Sequence, residues 1–261
     1  CLVGSEMCIR DRTPDYAFPN QASLVQAKLK AVNAMCFDVS AACSGFITAL
    51  DIAASMLKAG SYKYALVIGS EKMSEIVNWK DRSVCVLFGD GAGAVVLKAV
   101  DNNTEDVTGA LVGHERGIID SNIYNDGTGA SVLTGGRRFS DSCSTDIFIH
   151  MDGQEVFKFA VKSVPTAIET LLHNNNMDIN EVDKFILHQA SVRIIESVAK
   201  RLKADKDKFP VNLNEYGNTS SASIPILLDE LNRNGSLKQG EKLVLAGFGA
   251  GLSWGSILLV W

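Results

Sequence analysis

The feature that most constrains this chain is a unit that occurs twice. It consists of a short apolar strand, a sharp turn carrying a reactive side chain, and a helix. In the first half, residues 35–39 (MCFDV) read as a strand, 40–45 (SAACSG) as a tight turn, and 46–58 as a helix closed by Gly60. In the second half, residues 185–188 (FILH) form a strand that ends in a turn, and 192–202 follow as a helix. Strands alternating with helices predict an α/β fold with a largely parallel sheet. The repetition predicts two pseudo-duplicated halves.

The remaining segments fill in that plan. Asn20 is placed to cap a helix running through Lys30, with Ala22, Leu24, Val25 and Leu29 apolar on one side. Residues 64–69 read as a buried strand. Residues 83–88 and 94–100 read as strands around a glycine-rich turn. Residues 115–145 are rich in Gly, Asn, Asp and Ser and read as a long surface excursion. Residues 153–174 have the period of a long amphipathic helix, and 221–232 read as another. Residues 242–246 and 256–261 read as the last strands.

Composition narrows the function classes. Hydrophobic residues make up 46% and charged residues 21% of the 261, a globular balance. No apolar run approaches the ~20 residues needed to cross a bilayer, so no membrane span is expected. The net charge of -5 gives no global basic field for nucleic acid. The six cysteines form no Cys-x-x-Cys pair and none has a histidine at metal spacing, so neither zinc nor any other metal is expected. Without a secretion signal, most of them read as small buried hydrophobes in a reducing cytoplasm. Residues 1–12 (CLVGSEMCIRDR) begin without Met and lack a signal-like apolar region. They resemble translated sequencing-adapter remnants, so they are expected to be non-native rather than a genuine short strand or loop.

Three turns carry candidate chemistry. Cys43 lies between a strand and a helix, flanked by Ala41, Ala42, Ser44 and Gly45, so a carbonyl can approach its sulfur. The positive end of the following helix favours a thiolate, and its free N–H groups suit an oxyanion. The same local pattern fits a buried structural cysteine equally well. His188 ends a strand, where open α/β sheets place ligands, yet a lone histidine is more often structural. Asn218 in YGNTSSAS precedes a helix and, taken alone, reads as a turn or cap. A Cys, a His and an Asn, each at a turn between elements, together make a plausible nucleophilic constellation. The run Gly89-Asp-Gly-Ala-Gly93 is followed by a strand rather than a helix, so it reads as a structural turn and not a phosphate loop.

SAACSGF, LHQAS with Arg193, YGNTSSAS, FGAGLSWGS and DRSVCVLFGDGAGAVVL resemble, in order, the motifs of the 3-oxoacyl-(acyl-carrier-protein) synthase III family. The similarity runs from about Ala17 to Trp261. Asn rather than a second His at the third position points to the type III group. The resemblance implies a thiolase-like fold with layered helices and mixed sheets. It also implies homodimers and a decarboxylating Claisen condensation of a short acyl-CoA with malonyl-acyl-carrier protein, which initiates fatty acid synthesis. Cys43, His188 and Asn218 match the catalytic positions, and the backbone of Cys43 and Ala250 matches the oxyanion hole. Arg82, Phe157 and Arg193 match positions near CoA and its pantetheine arm. Lys158, Arg193, Lys200 and Arg201 match a basic patch for the acidic carrier protein, and Phe18 matches a residue that reaches into a partner's pocket. Acyl-CoA enters as a substrate, and no permanently bound cofactor is implied.

The expected organisation is a non-native segment at 1–12, an N-terminal half at 13–150 bearing the cysteine, and a C-terminal half at 151–261 bearing His and Asn. Members of the family have more chain before this region, so roughly their first quarter is expected to be absent. The nearest rival function is a starter-unit ketosynthase or acyltransferase of a polyketide or quinolone pathway. More distant are a Cys-His-Asn hydrolase and an inactive interaction module. The preferred acyl group depends on pocket shape, which a few methylenes alter by only ~1–3 kcal/mol.

Overall fold

The computed structural model describes residues 6–12, 18–100, 116–135 and 146–261. Along the chain the elements are β1 (Glu6–Arg12), α1 (Gln21–Leu29), β2 (Ala34–Val39), α2 (Gly45–Lys58), β3 (Tyr64–Glu71), β4 (Gly91–Lys98) and β5 (Gly117–Asn125). They continue with β6 (Leu133–Thr134), β7 (His150–Met151), α3 (Gly153–Asn174), β8 (Lys184–Leu187) and α4 (Val192–Leu202). The last are α5 (Leu213–Tyr216), α6 (Ser223–Arg233), β9 (Lys242–Gly249) and β10 (Ser253–Val260). The long helices fall where apolar periodicity put them.

The first sheet runs β2-β1-β3-β4. β1 is parallel to β2 and to β3, and β4 returns antiparallel to β3 with Gly69 opposite Gly93. The segment expected to be foreign therefore supplies a central strand. Ladder bonds are made by main-chain groups, so the place accepts many sequences that lack proline. The second sheet runs β5-β10-β9-β8, with β8 parallel to β9 and the other pairs antiparallel. A parallel pair followed by an antiparallel return thus occurs in both sheets.

Two expectations are corrected. Residues 117–125 are not part of a surface excursion. They form β5, paired along its length with β10. Because β5 joins the second sheet, the two sheets divide the chain between Lys98 and Gly117. Residues 83–87 are turns rather than a strand, and Phe88 makes a single bridge to Asn218. The Asp81 carboxylate accepts from the Ser83 N–H at 2.9 Å and the Asp81 carbonyl accepts from Cys85 N at 2.9 Å, which coils the segment.

Side-chain alternation on the second sheet shows how the layers stack. On β9, Leu243 and Leu245 face one core with Ile186, Ile257 and Leu259, while Val244, Ala246 and Phe248 face another with Phe185, Leu187 and Leu258. The first core holds Phe46, Ile47, Leu50 and Ala53 of α2 and Ile224, Leu227 and Leu228 of α6, together with Ala65 and Val67 of β3. α2 and α6 are therefore a middle layer shared by both sheets. α3 and α4 cover the far face of the second sheet through Ile168, Leu171, Ile195 and Val198. α1 lies against β1 and β2 of the first sheet. The result is the layered arrangement expected. Among the described residues no helix is long and apolar enough to cross a membrane.

Local chemistry sets the helix starts. Asn20 caps α1 by accepting from Ser23 N at 2.8 Å. The next two N–H groups, of Gln21 and Ala22, donate to the Asp38 carboxylate on β2 at 2.9 and 3.0 Å. Asp152 caps α3 by accepting from Gln154 N and Glu155 N.

Candidate active site

β2 ends at Val39, and the chain reverses through a 3-10 turn over Ala42–Ser44 directly into α2. Ala42 has φ 46°, in the left-handed region, which for a non-glycine residue stores on the order of 1–2 kcal/mol. The reversal places Cys43 at the N-terminal mouth of α2, buried to 8% exposure. Ser44 holds the turn. Its Oγ lies 2.8 Å from the Ala41 carbonyl and 2.6 Å from Ser253 Oγ, and its single proton serves one of the two. Ser253 Oγ in turn donates to the Ala250 carbonyl at 2.8 Å. The cysteine turn is thereby tied to the β9–β10 turn, where the expected oxyanion donor Ala250 sits half-buried.

Gly249 shows how close that approach is. A Cβ there would lie 2.9 Å from both Cys43 Cβ and Cys43 N. Only glycine lets the end of β9 reach the Cys43 backbone.

His188 follows β8 and donates its N–H to the Ala246 carbonyl at 2.8 Å, so the ladder with β9 continues one residue past the strand. The ring is buried at 1% exposure and lies edge-on to Phe248, with centroids 5.2 Å apart. Its Nδ1 is 2.7 Å from Ser223 Oγ. Burial pushes its pKa down to about 3, against a smaller opposing hydrogen bond with the Ser220 backbone. The imidazole is therefore neutral at neutral pH.

Asn218 is held by its backbone and by one half of its side chain. Its N–H donates to the Leu87 carbonyl at 2.8 Å, and its carbonyl accepts from Gly89 N at 3.0 Å, straddling Phe88. Its Oδ1 accepts from Ser220 N at 2.9 Å. The carboxamide oxygen is thus occupied, and Nδ2 is the group left to donate outward. The glycine-rich run beside it serves packing, since a Cβ on Gly89 would lie 2.2 Å from the Tyr216 carbonyl oxygen.

The three side chains share one set of neighbours. The cysteine turn packs on the 3-10 turn Ser220–Ala222, which carries the Asn218 contact at one end and Ser223 at the other. Phe248, against His188, is the residue before Gly249, against Cys43. Cys43 at a helix mouth, a neutral imidazole and a carboxamide thus stand around the 3-10 turn Ser220–Ala222 and the residue after it. Sequence reasoning missed Ser223, Phe248 and the Ser44–Ser253 tie. It also missed buried Glu71, which accepts from Ser221 Oγ at 2.8 Å. One serine among many gives no sequence signal of its partner.

The outer residues divide into two groups. Phe157 on α3 and Arg193 on α4 are brought together, the guanidinium carbon 5.6 Å from the ring centroid in a cation–π contact. Arg193 and Lys200 are exposed on α4 with Glu196 between them, and Arg201 is exposed beside them. Lys158 is exposed and paired with Glu155 at 2.7 Å, a contact that raises its pKa. Arg82 is exposed on the coiled segment that leads to the Leu87–Gly89 strap. Phe18 is 85% exposed.

Two family models match the chain. One described as 3-oxoacyl-[acyl-carrier-protein] synthase III covers residues 37–127, and one described as its C-terminal part covers residues 172–261. The beta-ketoacyl-[acyl-carrier-protein] synthase III of Clostridium acetobutylicum is 45% identical over 255 residues, which span 95% of this chain and 74% of that protein. The crystal structure of the 3-oxoacyl-[acyl-carrier-protein] synthase III of Aquifex aeolicus VF5 superposes with a TM-score of 0.87 at 44% identity, covering 98% of this chain and 77% of that one. The priming beta-ketosynthase from the R1128 polyketide biosynthetic pathway superposes with a TM-score of 0.87 at 34% identity, covering 98% and 74%.

Proposed function

This chain belongs to the 3-oxoacyl-[acyl-carrier-protein] synthase III family, and from that premise we propose how its own residues divide the work. The activity is that of a beta-ketoacyl-[acyl-carrier-protein] synthase III, an acyltransferase that initiates fatty acid synthesis. The substrates implied by the family are an acyl-CoA and malonyl-acyl-carrier protein.

In the proposed sequence, the Cys43 thiolate attacks the thioester carbonyl of acyl-CoA. The tetrahedral oxyanion lies against the backbone N–H groups of Cys43 and Ala250. It collapses with loss of CoA thiolate, leaving acyl-Cys43. Malonyl-carrier protein then loses CO2, and the electron pair of the broken C–C bond becomes an enolate. His188 and Asn218 donate hydrogen bonds to the enolate oxygen. Its carbon attacks the acyl carbonyl, and Cys43 leaves as thiolate. Donors held in place before charge develops stabilise the transition state more than the ground state. The observation that supports this reading is the packing of the cysteine turn at the mouth of α2 on the Ser220–Ala222 turn, whose first N–H occupies the Asn218 carboxamide oxygen.

Arg193, with Phe157 beneath it, and Arg82 are proposed to hold CoA and its pantetheine arm. Lys158, Arg193, Lys200 and Arg201 are proposed to receive the acidic carrier protein. The homodimer is supported by β2, an edge strand, and by the exposure of Phe18. The test is intact-mass measurement after mixing with a panel of acyl-CoAs. One acyl group per chain on Cys43 is expected. Cys43→Ala should abolish condensation while malonyl decarboxylation persists; condensation by that variant at the normal rate would refute the assignment.

A further inference from the structure

A neutral imidazole has one N–H, and the partner of one nitrogen decides which nitrogen carries it. Donation from His188 to an enolate requires the proton on Nε2, so Nδ1 must accept. The group at Nδ1 is Ser223 Oγ, 2.7 Å away. That oxygen has two further neighbours. Gln189 N–H donates to it at 3.3 Å, and the Ser220 carbonyl stands 2.9 Å away as an acceptor. A serine hydroxyl has a single proton, so it serves either the Ser220 carbonyl or His188 Nδ1.

Two observations favour Nδ1. The Ser220 carbonyl already accepts the backbone N–H of Ser223, so it is not orphaned when the hydroxyl turns away. The Ser223–His188 separation, 2.7 Å against 2.9 Å to the Ser220 carbonyl, is also the shorter of the two. The same stretch fixes the other donor, because Ser220 N occupies Asn218 Oδ1 and leaves Nδ2 outward. We propose that Ser223 is a positioning residue that donates to His188 Nδ1 and so places the imidazole proton on Nε2, matching Asn218 Nδ2 as the second donor to one oxygen. This rests on the reading that both groups face the enolate oxygen.

Ser223→Ala removes the donor. The polar group left at the site of the lost hydroxyl is the Ser220 carbonyl, 2.9 Å from Ser223 Oγ, and a carbonyl only accepts. The proton should therefore move to Nδ1. Long-range 1H–15N correlation spectra of the histidine-labelled protein report the tautomer directly, with the His188 signal assigned by its loss in His188→Gln. The expected results are the Nε2–H form in the wild type, the Nδ1–H form in Ser223→Ala, and the Nε2–H form again in Ser223→Thr. Malonyl decarboxylation should fall about 10²-fold in Ser223→Ala, the loss typical of one oxyanion donor, with a much smaller change in Cys43 acylation, and should recover in Ser223→Thr. An Nδ1–H wild type, or an Nε2–H form that persists in a folded Ser223→Ala, overturns the proposal. A wild type that never acylates Cys43 overturns the functional reading instead, and the spectra still decide the tautomer.

Discussion

Replacing Gly249 with alanine puts a methyl group where the structure has no room. The added carbon would lie 2.9 Å from Cys43 N and Cys43 Cβ and 3.3 Å from Cys43 Cα. Ordinary carbon contacts begin near 3.5 Å, so the two backbones must separate by about half an ångström. Neither side gives easily. The cysteine turn is tied through Ser44 and Ser253 to the Ala250 carbonyl, and β9 is paired on both edges. Overpacking of this kind costs about 1–3 kcal/mol, which for a chain of this size lowers Tm by roughly 2–10 °C. The functional loss should be larger, because displacing a reacting atom by up to 1 Å can reduce the rate on the order of 10²-fold. The assays are a thermal melt and the rate of Cys43 acylation by acyl-CoA, followed by intact mass. Acylation at the wild-type rate with an unchanged melt would refute the close approach of β9 to Cys43.

Two other outcomes follow from the site. His188 has its pKa lowered from 6.5 to about 3, so the unfolded chain binds a proton that the folded chain refuses between those values. Stability is complete above about pH 6.5 and falls as pH drops toward 3. At pH 4.5 the loss should be roughly 2–3 kcal/mol, and His188→Gln should remove it, read as the urea midpoint at pH 4.5 against pH 7.5; identical pH dependence in both proteins would contradict it. Arg193→Glu should raise KM for the carrier-protein substrate at least 10-fold and raise KM for acyl-CoA as well, since it both reverses a charge and removes the guanidinium over Phe157. An unchanged KM would discard the docking patch.

The legible parts of this molecule were those with a strong local period or a distinctive turn. α3 and α4 were delimited by apolar spacing, and the strand–turn–helix around Cys43 by its small residues. β5 escaped because Asp120, Ser121 and Asn122 interrupt its apolar residues. Their polar groups are satisfied across the fold, Ser121 by Asp51 and Asn122 by the Ala167 carbonyl and Ser256, which no local pattern announces. Residues 83–88 misled in the opposite way. Val84, Val86 and Phe88 alternate as in a strand, yet Asp81 coils the segment, leaving Val84 buried and Val86 71% exposed. The three residues proposed for catalysis stood out by type and position. Their supports did not, because Ser223, Phe248 and Ser253 are ordinary residues until the chain is folded.

The strap between residues 87–89 and Asn218 is made of main-chain bonds alone. The Asn218 backbone is therefore anchored without reference to which side chains stand at Leu87 and Phe88. Gly89 has no such latitude, because the Tyr216 carbonyl lies against it. Substitution at 87 or 88 can remodel the surroundings of the carboxamide while its anchor stays put, and descendants of this gene are free to try new walls on an unmoved fixture.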